Sequence, residues 1–138
     1  MNILVIDAQG GGVGKQLVAV IKRELPDCAL TAVGTNVAAS GAMQKAGADH
    51  TATGENAVIV GARRADVIVG SIGIVIADAM YGEITPAMAL AVGQSSAKRV
   101  LIPFDHCDNY VAGCAELPLG RRIQAAVELL KQIRAGEA

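Results

Sequence analysis

Ile3, Leu4, Val5 and Ile6 form an unbroken apolar run that stops at Asp7 and a cluster of glycines. Such a run suits a strand buried on both faces, as in a parallel sheet. From Gly12 the period changes to that of a helix. Val13, Leu17, Val20, Ile21 and Glu24 fall along one face, and Pro26 closes the element. The same change of period recurs along the chain. Residues 29–34 read as a second strand, and residues 36–45 as a small-residue helix stopped by Gly47. A short third strand is expected over 50–53, a helix over 55–64, a fourth strand over 66–70 and a short helix over 73–80. Thr85-Pro86 places a capping hydroxyl before a proline at the first helical position and predicts a helix ending near Ala97. A fifth strand follows over 98–104. Residues 105–117 are irregular or hold a small extra strand over 110–113. The last helix begins near Pro118, with Ile123, Ala126, Val127, Leu130 and Ile133 as its apolar stripe.

Strands alternating with helices imply right-handed crossovers and a parallel sheet. The pattern predicts one α/β domain over residues 1–138, three-layered and Rossmann-like, with about five parallel strands. No repeat, low-complexity segment or linker divides it.

Composition refines this picture. Hydrophobic residues make up 52% of the chain, but 25 of them are Ala, while Val (15) and Ile (12) dominate the rest. These numbers suit a Val/Ile-rich sheet covered by close-packed, Ala-rich helices. The apolar excess over ordinary domains suggests a subunit interface, and a homodimer is expected. The net charge of -1 gives no broad field for phosphate backbones or anionic membranes. With no Trp, one Phe and two Tyr there is no aromatic platform for single strands. Neither a nucleic acid nor a membrane is expected as partner. No stretch of about 18 uncharged apolar residues suggests a membrane span. The N-terminus lacks the basic segment and cleavage site of a signal peptide. Three cysteines, Cys28, Cys107 and Cys114, are too few and too odd for a disulfide framework. A cytoplasmic location is the expectation.

In sheets of this class ligands bind beyond the carboxyl ends of the strands, where strand order switches. The loops expected at that edge carry Gly or small polar groups: residues 7–15, 34–36, 53–56, 70–73 and 103–109. The sharpest is the first, with Gly10, Gly11, Gly12 and Gly14 followed by Lys15. Glycines allow close approach of the backbone to an anion, and the following helix offers unsatisfied N–H groups at its positive end. A phosphate-bearing small molecule is the expected guest; a tight strand-to-helix turn without a ligand is the structural alternative. Lys15 either neutralises the anion or is a solvated helix lysine. Asp7 either meets a cation, a proton or a ribose hydroxyl, or caps the turn through backbone N–H groups. The capping role is preferred, because a carboxylate beside a phosphate is repulsive.

Two phosphate-loop motifs compete, and neither is complete. Residues 11–15 resemble the loop of deviant P-loop ATPases, but the outer Gly falls on Gln9, the magnesium-binding hydroxyl on Gln16 and the extra Lys on Gly10. A dinucleotide fingerprint begins with Gly10 and Gly12, but its third glycine falls on Lys15. About twenty residues on, where an NAD protein of this class presents an acid to the ribose, the chain has Thr35 and Asn36. These can bond a ribose or a 2′-phosphate, so NAD, NADP and smaller nucleotides stand level as cofactors. Thr53, Asn56 and Ser71 are expected to complete the wall of the site. Glu55 offers a base, although Glu55 at a helix start capped by Thr53 is also ordinary structure. Glu83, just before Thr85-Pro86, takes the same helix-start reading. Asp105, His106, Cys107, Asp108 and Asn109 gather metal-capable groups, but with Cys114 they match no common zinc spacing, and no metal is predicted. A polar loop with partly buried thiols is preferred there over a nucleophilic Cys107. His50 reads as a loop residue, and Arg121 and Arg122 as solvated or facing a partner.

The set formed by residues 6–15, Gly34-Thr35-Asn36, Gly47-Ala48, residues 52–57, Gly82-Glu83-Ile84-Thr85-Pro86 and Leu101-Ile102-Pro103 resembles a small bacterial family of this length. That family is known only as a domain of unknown function. The resemblance spans nearly the whole chain. It implies a compact bacterial domain and transfers no catalytic role. The expected function is binding of a nucleotide or dinucleotide such as NAD(P). A non-enzymatic sensor or accessory subunit is the alternative, and a degenerate P-loop ATPase the third reading. No acid/base pair stands out as catalytic.

Overall fold

A computed structural model describes residues 1–104 and 108–138. The strands are β1 (Asn2–Asp7), β2 (Ala29–Gly34), β3 (His50–Thr53), β4 (Val67–Ser71) and β5 (Lys98–Ile102). The helices are α1 (Gly12–Glu24), α2 (Val37–Lys45), α3 (Glu55–Arg64), α4 (Pro86–Gln94) and α5 (Leu119–Arg134). All strand pairs are parallel, in the order β3-β2-β1-β4-β5. The chain therefore runs outward from β1 to β3 and returns to start again at β4 beside β1. The switch point lies between β1 and β4, and the carboxyl ends of both strands open onto it.

Alternation along β1 and β4 sends successive side chains to opposite faces. Ile3, Val5, Val67 and Val69 pack with Leu17, Val18 and Ile21 of α1, Met43 of α2, and Ile123, Ala126, Val127 and Leu130 of α5. Leu4, Ile6 and Ile68 pack on the other face with Val58 and Ala62 of α3 and Met88, Ala89 and Val92 of α4. The result is the expected three-layer, Rossmann-like α/β architecture. No helix among the described residues is long and apolar enough to cross a membrane.

Several expectations are corrected. The buried stripe of α1 is Gly14, Leu17, Val18 and Ile21, with Val13 and Val20 only half-buried at its margin. Strand β4 is shifted on by one residue and ends at Ser71. The helix expected over 73–80 is a single 3-10 turn, Ile72–Val75, because Asp78, Met80 and Tyr81 adopt left-handed backbone angles (φ 66°, 57° and 57°) that no helix accommodates. Helix α4 stops at Gln94, where Ser95 turns its hydroxyl onto Ala62 O (2.6 Å) and accepts Ala97 N–H (3.0 Å). Strand β5 ends at Ile102, since Pro103 cannot donate to a ladder. No strand forms over 110–113.

Candidate functional site

The loop after β1 is shaped by two different demands. Gly11 has φ +73°, and a Cβ there would stand 2.9 Å from Ala39 Cα. A Cβ on Gly14 would meet Met43 Sδ at 2.6 Å and Asp7 Cβ at 2.8 Å. The fold itself requires these two glycines. Gly10 and Gly12 are different: neither has a left-handed φ, and a Cβ on either would meet nothing within 4 Å among the described residues.

Asp7 caps the turn. Its Oδ1 accepts Ala8 N–H (2.8 Å) and its Oδ2 accepts Gly14 N–H (2.6 Å), and the residue is 7% exposed. Of the other loop amides, Gly11 N–H donates to Ala8 O and Lys15 N–H to Gly11 O. The amides of Gly10, Gly12 and Val13 have no hydrogen-bond partner among the described residues. Lys15 is exposed and lines a groove of about 730 Å³ between α1 and α2, with Gln16, Val37 and Lys45 also on its walls.

A second carboxylate closes over the loop, and the sequence reading missed it. Glu83 Oε1 accepts from Gln9 N–H (2.9 Å), Thr35 Oγ1 (2.7 Å) and Asn36 Nδ2 (2.8 Å). Glu83 is therefore not a helix-start residue, because the left-handed run before it turns its carboxylate across to the end of β2. Burial pulls this carboxyl upward. The three hydrogen bonds outweigh burial and hold it below the ordinary glutamate range. Asn36 is held from both ends: its Oδ1 caps α2 by accepting Ala39 N–H (2.9 Å). Asp7 and Glu83 together occupy the amides of Ala8, Gln9 and Gly14, so the contact open to an anion narrows to Gly10, Gly12 and Val13.

The remaining candidate residues separate into two groups. Ser71 ends β4, at the same edge of the sheet as the loop. It is 4% exposed, and its Oγ has no hydrogen-bond partner among the described residues. It follows Val67 and Val69 by the strand period, so it projects from the sheet face that carries α1, the face from which Asp7 reaches Gly14. Thr53, Glu55 and Asn56 stand apart. Thr53 does not cap α3, because Gly54 occupies the cap position (φ 102°) and the Thr53 hydroxyl pairs instead with Ser40 Oγ (2.6 Å). Glu55 accepts from Thr85 Oγ1 (2.7 Å), and Thr85 in turn caps α4 by accepting Met88 N–H (3.1 Å). Asn56 is exposed.

At the far end of the edge, Arg122 is half-buried. It donates to Leu117 O (3.0 Å) and Pro103 O, and lies over the Phe104 ring at 5.4 Å. Cys28 is buried and Cys114 exposed. The loop residues Asp105, His106 and Cys107 lie outside the described residues. Among the described residues no group of three or more His, Cys, Asp or Glu side chains is placed to hold a metal ion.

Comparison with known proteins gives one match. Neither the curated proteins nor the solved structures include one that matches the chain. A family model, that of the domain of unknown function DUF3842, matches residues 2–135. With nearly the whole fold inside that match, from β1 to the end of α5, the chain belongs to the DUF3842 family.

Proposed function

We propose that the chain is a cytoplasmic domain that binds a phosphate-bearing small molecule, a nucleotide or dinucleotide of the NAD(P) kind, across the junction of β1 and β4. One observation carries the reading. At the switch point, among the described residues, three loop amides (Gly10, Gly12 and Val13) and one buried hydroxyl (Ser71) lack partners. Of these donors the Ser71 hydroxyl is buried, and buried polar groups in folded proteins are almost always satisfied; the several oxygens of a phosphate group offer acceptors to it and to the more exposed loop amides. The positive end of α1 favours the same charge. Gly10 and Gly12 supply clearance, since no described residue fills the space of their missing side chains. Thr35 and Asn36, at the neighbouring strand end, lie where a ribose follows a phosphate in this class of sheet.

A thermal-shift screen with NAD, NADP, FMN, ATP, CoA and sugar phosphates tests the proposal. A ligand at a hundred times its Kd adds about 2.7 kcal/mol of apparent stability. The shift should vanish in Gly12→Val, and a screen in which none of these compounds moves the melting temperature rejects the reading. A turnover screen with any compound that binds then separates an enzyme from a binding subunit. Self-association is part of the same proposal. It rests on the apolar composition and on exposed Leu90 and Val37, and a monomer by light scattering at high concentration would remove it.

A further inference from the structure

Dinucleotide sites of this sheet class present an acid at the end of β2 to the ribose hydroxyls. In this chain β2 ends at Gly34, followed by Thr35 and Asn36, and neither is an acid. The structure brings the acid from elsewhere. Glu83 comes from the segment between β4 and α4, and its Oε1 rests on the Thr35 hydroxyl, the Asn36 amide and the backbone N–H of Gln9. No hydrogen bond to its Oε2 is made among the described residues. All three donors that hold the carboxylate are neutral, and no Lys or Arg pairs with it there. It keeps its full negative charge at the edge of the loop.

The segment that delivers Glu83 is firmly held. Asp78, Met80, Tyr81 and Gly82 all have left-handed φ angles, a conformation that costs energy in the three non-glycine residues. Ala79, Met80 and Ile84 are buried beneath it, and Asp78 N–H donates to Ile84 O at 2.7 Å. A carboxylate fixed in this way is a poor neighbour for a second anion and a good acceptor for hydroxyl groups.

We infer that Glu83 determines specificity at this site: it accepts hydrogen bonds from an unsubstituted ribose diol and excludes a ribose carrying a 2′-phosphate. The ligand class is then a nucleotide or dinucleotide with free 2′- and 3′-hydroxyls, of the NAD rather than the NADP type. The inference rests on the phosphate-loop reading and refines it.

Calorimetry on the wild type, Glu83→Gln and Glu83→Ala, with NAD, NADP and inorganic pyrophosphate as probes, tests it. Gln keeps an oxygen facing the same three donors and so preserves the fold while removing the charge; melting curves verify this, and if Glu83→Ala unfolds the Gln variant carries the test. The wild type should bind NAD at least about tenfold more tightly than NADP. In Glu83→Gln the ratio should fall to within about threefold, while pyrophosphate affinity is not weakened. Equal wild-type affinities for NAD and NADP, binding of pyrophosphate alone, or an unchanged preference in Glu83→Gln overturns the role of Glu83 and leaves the loop reading standing. Failure of the wild type to bind any of the three probes overturns both.

Discussion

Gly11 and Gly14 stand in the same short loop as Gly10 and Gly12, yet they answer to different physics. The first pair is locked against the protein: Gly11 against the backbone of α2, Gly14 between Met43 and Asp7. The second pair faces space that nothing among the described residues fills. A glycine-rich motif is usually read as one object. Here half of it is explained by packing, and only the other half is available for recognition. The contrast also separates the loop's own hydrogen bonding, completed by Asp7, from the amides left over at the start of α1.

Substitutions can break or sharpen that contrast. The largest effect is expected at Gly11→Val, where a side chain would combine a left-handed φ with a clash against the Ala39 backbone. A loss of about 2–4 kcal/mol in urea unfolding is expected. Gly14→Ala should follow at about 1–3 kcal/mol, since the thioether of Met43 can yield but Asp7 cannot without losing its bond to the Gly14 amide. Gly12→Val should change stability by less than about 0.5 kcal/mol while abolishing ligand binding. Comparable destabilisation at all three positions would erase the distinction between the two pairs.

Ser71→Ala probes the same boundary from the sheet side. Removing a buried hydroxyl that has no partner among the described residues should leave stability unchanged or raise it by up to about 1 kcal/mol, while weakening ligand affinity. A clear loss of stability in the ligand-free protein would mean that the fold already satisfies this hydroxyl. The smallest effect concerns pH. The carboxyl of Glu83 is held below its ordinary range by Gln9, Thr35 and Asn36 against the upward pull of burial. Its folded value therefore lies below its unfolded one. The stability it contributes is complete above the ordinary glutamate range and is lost as pH falls through the folded value. Glu83→Gln should accordingly show a shallower acid limb in stability measured against pH, and an acid limb identical to the wild type would count against the three-donor cradle.

The legible parts of this chain were those in which local pattern decides structure. Strands β2 and β3 and helix α3 occupy the residues the sequence assigns them, because apolar runs, Gly punctuation and a first-turn acid act over a few positions. Asp7 as a turn cap and Thr85 as a helix cap are equally local. Thr53 differs from its expected role because Gly54 takes the cap position and the Thr53 hydroxyl pairs with Ser40 of another element, a contact no local pattern encodes. The segment after β4 departs from the helix expected there because Asp78, Met80 and Tyr81 take left-handed angles, and among residues 72–84 only Gly82 hints at them. Glu83 was out of reach altogether. It lies 74 positions from Gln9, and nothing in a linear pattern tells which strand end a distant carboxylate will visit.

The two rims of the sheet carry one more consequence. On one side β3 is only four residues long; on the other β5 begins with Lys98 and Arg99, both exposed. Short or charged border strands discourage a neighbouring chain from extending the sheet. Any pairing of two copies is thereby directed to helical surfaces, and the open backbone at either rim is kept from seeding strand-by-strand aggregation.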